Sequence, residues 1–316
     1  MTKLGVAVIG TGQWGKNHAR VYKELASTEL LAVCDVNLQR AKSMANQYGV
    51  KAYSDSTEML KNKDIQAVNI CTWSTILYQE ASKALNAGKH VLVEKPMSTT
   101  PEQARQLVKN AKENDLHLTV GFLMRFIPGL QLIRQSVENK KIGELVSVTT
   151  KRVSQWPERI GDVGVVKDTA IHDIDVMRYI SQQDPISVYA KVGSKRIKKF
   201  EDYAQIMLTY KNGETAFIES NWLTPYKTRT IITTGTEAIM RLDYNTQDLS
   251  IEEKTQTLQP RLQFQEPLKA ELQHFVDCIV NKKKPVVTGE DGVKALEIAT
   301  AAIESSVKNK AIHLKK

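Results

Sequence analysis

The chain has 316 residues, 41% of them hydrophobic and 25% charged, with 16 Gly, 9 Pro and 3 Cys. At roughly 100–200 residues per domain this length predicts two domains, and the composition excludes collagen-like, disordered and disulfide-scaffold classes. Lys+Arg 44 against Asp+Glu 35 leaves a net charge of +9, which suits an anionic small molecule.

A nucleic-acid partner is not expected. Lys195-Arg196-Ile197-Lys198-Lys199, Lys282-Lys283-Lys284 and Lys315-Lys316 are short clusters without interleaved aromatics, unlike a base-stacking surface. Cys34, Cys71 and Cys278 lie far apart with no C-x-x-C pair, which argues for a reducing cytoplasm and no metal site. No apolar run approaches the roughly 18–20 residues needed to span a bilayer, so a membrane partner is not expected either.

Through residue 121 the pattern alternates strand and helix. Leu4-Gly5-Val6-Ala7-Val8-Ile9 is a continuous apolar run, as a parallel strand covered on both faces requires. A helix is predicted over 14–25, a strand over 30–34, a helix over 38–47 and a short strand at 51–53. Strands follow at 67–71 and 90–93 with a helix at 78–86 between them, and Gly88 stands where a helix C-terminal glycine belongs. Pro101, after Thr99 and Thr100, opens the next helix, and 116–120 closes the series. Repeated βα units specify a parallel sheet with helices on both faces.

Beyond Gly121 the period changes. Helices are predicted over 129–139 and 168–180, and strands with period-two alternation over 145–153, 186–192, 204–210, 215–222, 228–234 and 238–242. Asn212-Gly213 reads as a hairpin turn in which both positions take positive φ. A final helix runs over 293–306, introduced by Gly289-Glu290-Asp291-Gly292. The predicted fold class is therefore α/β: a dinucleotide-binding domain over 1–121, then an α+β domain over 122–316 with a large, mostly antiparallel sheet. One face of that sheet needs cover from helices or another subunit.

Three constellations carry chemistry. Gly10-Thr11-Gly12-Gln13-Trp14-Gly15 matches G-x-G-x-x-G between a buried strand and a helix, the context that makes the motif a pyrophosphate cradle. Gly10 permits the turn, Gly12 the approach of a pyrophosphate, and Gly15 the packing of helix on strand. The helix N-terminus offers N–H groups to phosphates. Asp35, 20 residues after Gly15, ends the second strand, where a carboxylate accepts from the adenosine ribose and repels a 2′-phosphate. NAD is thus expected over NADP.

Glu94-Lys95-Pro96 follows the strand at 90–93, at the carboxyl end of the sheet where ligands bind. The third constellation is the helix Asp168-Thr169-Ala170-Ile171-His172-Asp173-Ile174-Asp175-Val176-Met177-Arg178-Tyr179-Ile180. Ile171, Ile174, Met177 and Ile180 form an apolar stripe, and Asp168, His172, Asp175 and Tyr179 a neighbouring polar one. A carboxylate one turn from an imidazole sets its tautomer and basicity. A helix-capping Asp beside a structural His is the alternative reading.

Together these motifs, with Gly121-Phe122, Arg125 and Pro128 at the domain junction, resemble the glucose–fructose oxidoreductase / inositol dehydrogenase (Gfo/Idh/MocA) family across essentially the whole chain. The resemblance implies NAD(P)-dependent oxidation or reduction of sugars and cyclitols, and a homodimer or homotetramer formed through the C-terminal sheet. It implies that Lys95 polarises the reacting hydroxyl, that His172 accepts its proton, and that Asp168 hydrogen-bonds at the same site. It also implies cofactor contacts from Thr72, Trp73 and Glu94. Where the family carries Thr-Pro-x-x-x-His, this chain has Thr72-Trp73-Ser74-Thr75-Ile76-Leu77, which implies a reshaped nicotinamide wall.

The stretches 152–166 and 221–229 resemble UDP-N-acetylglucosamine 3-dehydrogenase-like members. A diphosphate needs Arg or Lys donors, for which Arg152, Arg159, Lys227 and Arg229 are the candidates; Arg125, Trp156 and Tyr226 are the further residues expected at the substrate. An inositol or free-sugar dehydrogenase is the rival enzyme, and a non-catalytic NAD-binding sensor the rival of another class.

Overall fold

The computed structural model describes residues 3–157, 161–196 and 199–314. The chain forms two compact units, one from Met1–Leu123 with Glu266–Val293, the other from Met124–Gln265 with Lys294–Lys316.

The first unit begins β1 (Leu4–Ile9), α1 (Gln13–Glu24), β2 (Thr28–Cys34), α2 (Leu38–Tyr48), β3 (Lys51–Tyr53) and α3 (Ser56–Leu60). It continues β4 (Ala67–Ile70), α4 (Ser74–Asn86), β5 (His90–Val93), α5 (Pro101–Glu113) and β6 (Leu118–Val120). The six strands form a parallel sheet in the order β3-β2-β1-β4-β5-β6. β1 and β4 are buried at every position, the reason the apolar runs are continuous. The helix ends follow their local chemistry. Thr100 caps α5 by accepting from Gln103 N–H, with Pro101 at its start, and Gly88 beyond α4 takes φ +72°. The Lys95–Pro96 peptide is cis.

The second unit contains α6 (Pro128–Glu138), β7 (Leu145–Val153), α7 (Ile171–Ser181), β8 (Ser187–Gly193), β9 (Tyr203–Thr209) and β10 (Thr215–Asn221). β11 (Thr228–Gly235), β12 (Ala238–Asp243), β13 (Leu249–Glu253) and β14 (Thr257–Leu258) follow. Next in the chain is α8 (Pro267–Val280), which belongs to the first unit, followed by α9 (Gly289–Lys308) and by β15 (Ile312–His313) of the second. The nine strands β7–β15 form one sheet, β14-β13-β12-β11-β7-β10-β9-β8-β15. Its pairs are antiparallel except β7 with β10. Val148, Thr150 and Arg152 of β7 point to the buried face, and Thr149 and Lys151 to the other. At Asn212-Gly213 the hairpin forms, but only Gly213 takes a positive φ, +92°. The turn closes through Gly213 N–H to Tyr210 O and Tyr210 N–H to Glu214 O, so Asn212 keeps an ordinary backbone.

A single cut at residue 121 therefore misses the return segment. Leu268, Leu272, Phe275 and Val276 of α8 join the apolar cluster built by β1, β2 and α1 of the first unit. Within the same unit, Gly292 leaves no room for a side chain, since a Cβ there would lie 2.4 Å from Met97 Sδ. No helix among the described residues is long and apolar enough to cross a membrane.

Candidate active site

In the first unit the glycine turn has the geometry of an anion cradle. Gly10 takes φ +94°, and a Cβ would stand 2.5 Å from Cys71 O; at Gly15 it would stand 1.7 Å from Gly10 O. Neither position tolerates a side chain. At Gly12 a Cβ would meet nothing within 4 Å, so the backbone presents an open face there. Gly12 gives α1 no side-chain cap and the first turn carries no acid, leaving that end to a phosphate. These residues fit a dinucleotide.

Asp35 Oδ2 accepts from Thr11 N–H (2.9 Å) and Thr11 Oγ1 (2.8 Å), while Oδ1 accepts from Asn37 N–H (2.8 Å). The carboxylate is thus fixed at the carboxyl end of β2, where an adenosine ribose is read. Asp35→Ala is expected to weaken NAD binding by about tenfold, the worth of hydrogen bonds to one charged group, and to narrow the preference over NADP. Calorimetric titration with both dinucleotides checks this, and an unchanged preference would remove Asp35 from discrimination.

The other expected cofactor residues divide. Gln13 is exposed at the start of α1. Trp14 packs its ring on the first unit's core, edge-on to His18 at 6.4 Å, so its side chain is committed to the interior. Thr72 is half-buried, and Trp73, at the N-cap of α4, is 56% exposed. Leu77, in the family's histidine position, is buried in the core. The Glu94 side chain is engaged within the protein. Its carboxylate turns inward, with Oε1 3.0 Å from His18 Nε2 and Oε2 accepting from Lys95 N–H at 3.3 Å. A Cβ on Gly121 would lie 3.1 Å from that carboxylate. Lys95 itself is buried at the carboxyl end of β5.

In the second unit a π-helical turn, Val166–Ala170, leads into α7 and carries Asp168. Such turns recur at functional sites, and nothing in the local spacing announces this one. Glu201 anchors it: Val165 N–H donates to the Glu201 carbonyl (2.9 Å) and Val166 N–H to its carboxylate (3.2 Å). Burial pushes Glu201 up and Lys167 down from their ordinary values. Asp168 is buried and accepts from Thr169 Oγ1 at 3.0 Å; that hydroxyl accepts from Trp222 Nε1 at 2.9 Å. Trp156 stands edge-on to Trp222 at 4.9 Å. His172 is half-buried on the first turn of α7. The second unit therefore groups Asp168, Thr169, Trp222 and Trp156, two of which the sequence reading did not single out.

Two expected substrate cations prove to be engaged elsewhere. Arg152 forms a fork onto Asp173 through Nε (2.8 Å) and Nη2 (2.9 Å), over the Tyr244 ring. Burial opposes its charge, but Asp173 more than compensates and keeps it protonated. Arg125 forms the same fork onto Asp175 through Nε (2.9 Å) and Nη2 (2.5 Å), beside Tyr179. The predicted polar stripe of α7 is thus largely interior, with Asp175 fully buried against Arg125, Asp168 and Tyr179 buried and His172 half-buried, and Asp173 beside it is fully buried against Arg152. Arg159 lies outside the described residues. Tyr226 is 81% exposed. Lys227 is also exposed, its ammonium held below the ordinary value by the Arg229 guanidinium, then by burial and Arg152. Arg229 is the cross-strand partner of Arg152, so three cations share this end of the sheet.

A glycine cradle at a helix start, an Asp fixed at the carboxyl end of β2 and a lysine at the carboxyl end of β5 are the features of a dinucleotide-dependent oxidoreductase. The sequence profile of the oxidoreductase family with an NAD-binding Rossmann fold, GFO/IDH/MocA, matches residues 4–122, and that of the GFO/IDH/MocA C-terminal domain matches residues 130–241. The chain belongs to this family, and its cofactor is NAD.

The chain is 29% identical over 326 residues to the oxidoreductase YrbE of Bacillus subtilis (strain 168), covering 96% of this chain and 95% of that one. It is 28% identical over 328 residues to an inositol 2-dehydrogenase of Rhizobium meliloti (strain 1021), covering 97% and 98%. Among solved structures, UDP-N-acetylglucosamine 3-dehydrogenase from Acidithiobacillus ferrooxidans superposes with a TM-score of 0.89 at 25% identity, covering 96% and 98%.

Proposed function

We propose that the protein oxidises a secondary hydroxyl of a sugar, most specifically the 3-hydroxyl of UDP-N-acetylglucosamine or a related nucleotide sugar, in the cytoplasm. In this reading Lys95 donates a hydrogen bond to the reacting oxygen as negative charge develops, and His172 accepts the hydroxyl proton. Asp168, held by Thr169, hydrogen-bonds to the substrate beside His172. NAD, when bound, supplies the acceptor for the carbon-bound hydride. Gly10, Gly12, Gly15 and Asp35 hold the dinucleotide.

The grouping of Lys227 and Arg229 beside Arg152 carries the nucleotide-sugar reading. The Arg229 guanidinium, then burial and Arg152, hold the Lys227 ammonium below its ordinary value, and a bound diphosphate would relieve the repulsion among these cations. UDP alone should then compete with the sugar substrate, and Lys227→Ala should weaken that competition. Indifference to UDP would favour the second reading, an inositol or free-sugar dehydrogenase, which similarity to the Rhizobium meliloti enzyme supports equally. The sensor reading requires tight NAD binding with no turnover across a sugar panel.

The outer face of the large sheet supports a homodimer or homotetramer. Tyr189, Met207, Phe217 and Thr149 align across β8, β9, β10 and β7, with Tyr189 39% and Phe217 41% exposed. Phe217→Asp should lower the mass measured by light scattering toward one chain. An unchanged assembly would place the interface elsewhere.

A further inference from the structure

Asn69 lies fully buried in the central strand β4, among Ala67, Val68 and Ile70, which are also buried. A polar residue there costs stability unless it is hydrogen-bonded, and Asn69 is bonded at both ends of its amide. Tyr22 Oη donates to Asn69 Oδ1 at 2.6 Å, which fixes the amide's orientation. Asn69 Nδ2 then donates to His18 Nδ1 at 2.7 Å. That assignment puts the imidazole proton on Nε2, aimed at Glu94 Oε1 3.0 Å away.

Tyr22, Asn69 and His18 are each completely buried, so these bonds are made away from the solvent-exposed surface. The Tyr22 hydroxyl is pushed well up by burial, then by Cys71, so it remains a donor. Cys71 and Glu271 also face this region, and burial with the charges of Glu94 and Glu271 pushes the Cys71 thiol up. Every donor in the series thus points the same way, toward the carboxylate of Glu94. That carboxylate in turn receives the backbone N–H of Lys95, and Gly121 leaves just enough room beside it.

We infer that His18, aligned by Asn69 and Tyr22, is a positioning residue that pins Glu94 and through it the backbone of Lys95, fixing where the Lys95 amine stands. The inference rests on the proposed role of Lys95 in the reaction. It assigns a use to four buried polar groups on α1, β4 and the end of β5 that dinucleotide binding leaves unused. The interaction acts on position, because His18 lies at 0% exposure and reaches no ligand.

The test compares His18→Leu, which removes the donor, with His18→Gln, whose amide retains an N–H for Glu94. In His18→Leu, kcat on whichever of UDP-N-acetylglucosamine or myo-inositol is oxidised should fall about tenfold to a hundredfold, as misplacement of a reacting group does. KM and NAD affinity should stay near wild type, and His18→Gln should recover most of the loss. Without any substrate, acetic anhydride should acetylate Lys95 faster in His18→Leu than in wild type, read by peptide mass spectrometry, because the buried amine is no longer held.

If His18→Leu does not fold, Tyr22→Phe deletes one oxygen at the far end and should show the same changes on a smaller scale. Lys95→Met separates the two layers of argument. Turnover surviving in Lys95→Met overturns the role of Lys95 and this inference together. Turnover lost there, with kcat and Lys95 acetylation unmoved in folded His18→Leu or Tyr22→Phe, overturns the inference alone.

Discussion

Replacing His172 by alanine is expected to lower kcat by about 10²–10⁴-fold, the usual worth of a positioned general base, while NAD affinity hardly changes. The separation follows from the roles proposed above, in which His172 takes the hydroxyl proton while the dinucleotide is held by the glycine turn and Asp35. Dinucleotide binding by fluorescence titration and turnover by steady-state kinetics make the check. Equal losses in affinity and turnover would instead mark His172 as part of the binding structure, and near-normal turnover would remove it from the mechanism.

The largest stability effect is expected at Asp173. Asp173 is fully buried and Arg152 is 5% exposed, so Asp173→Ala leaves an arginine charge without its carboxylate inside the second unit. Breaking a buried pair from one side costs about 3–5 kcal/mol, which equilibrium urea unfolding would register as a large drop in midpoint. Removing both charges should cost less, because well-packed apolar replacements of a buried pair are often neutral. Asp173→Leu combined with Arg152→Met should accordingly be more stable than Asp173→Ala alone. If the single variant unfolds at the wild-type urea concentration, the fork is not holding α7 to β7.

How much of this was legible in the chain depends on how far apart the partners stand. The parallel strands are legible because burial on both faces writes itself as an unbroken apolar run, as in Leu4–Ile9. The glycine turn is legible because Gly15 is demanded by the carbonyl of Gly10 a few residues back and Gly10 by its own positive φ. Helix ends such as Thr100-Pro101 and Gly88 are legible for the same local reason. What local pattern does not carry is the identity of a distant partner. The spacing on α7 marked Asp175 as polar, but its partner Arg125 lies 50 residues away and turns that stripe into core. The carboxylate of Glu94 turns inward to His18, 76 residues earlier, a partner that no local pattern names. Helix α8 shows why domain cuts fail in the same way, since apolar residues at 268–276 specify burial without specifying whose core they enter. The short strands β13 and β14 lie toward one edge of the large sheet, where the half-exposed pattern of Leu249–Glu253 weakens the alternation that marks the inner strands.

The cation grouping and the catalytic reading meet in one assay. Purified protein is mixed with NAD and UDP-N-acetylglucosamine, with myo-inositol in a parallel reaction, and the absorbance of reduced nicotinamide is followed. A rise with the nucleotide sugar that is suppressed by UDP and absent in His172→Ala is the predicted result. A rise with myo-inositol alone would contradict the nucleotide-sugar assignment, and no rise with any sugar, with NAD demonstrably bound, would contradict the assignment of a sugar dehydrogenase.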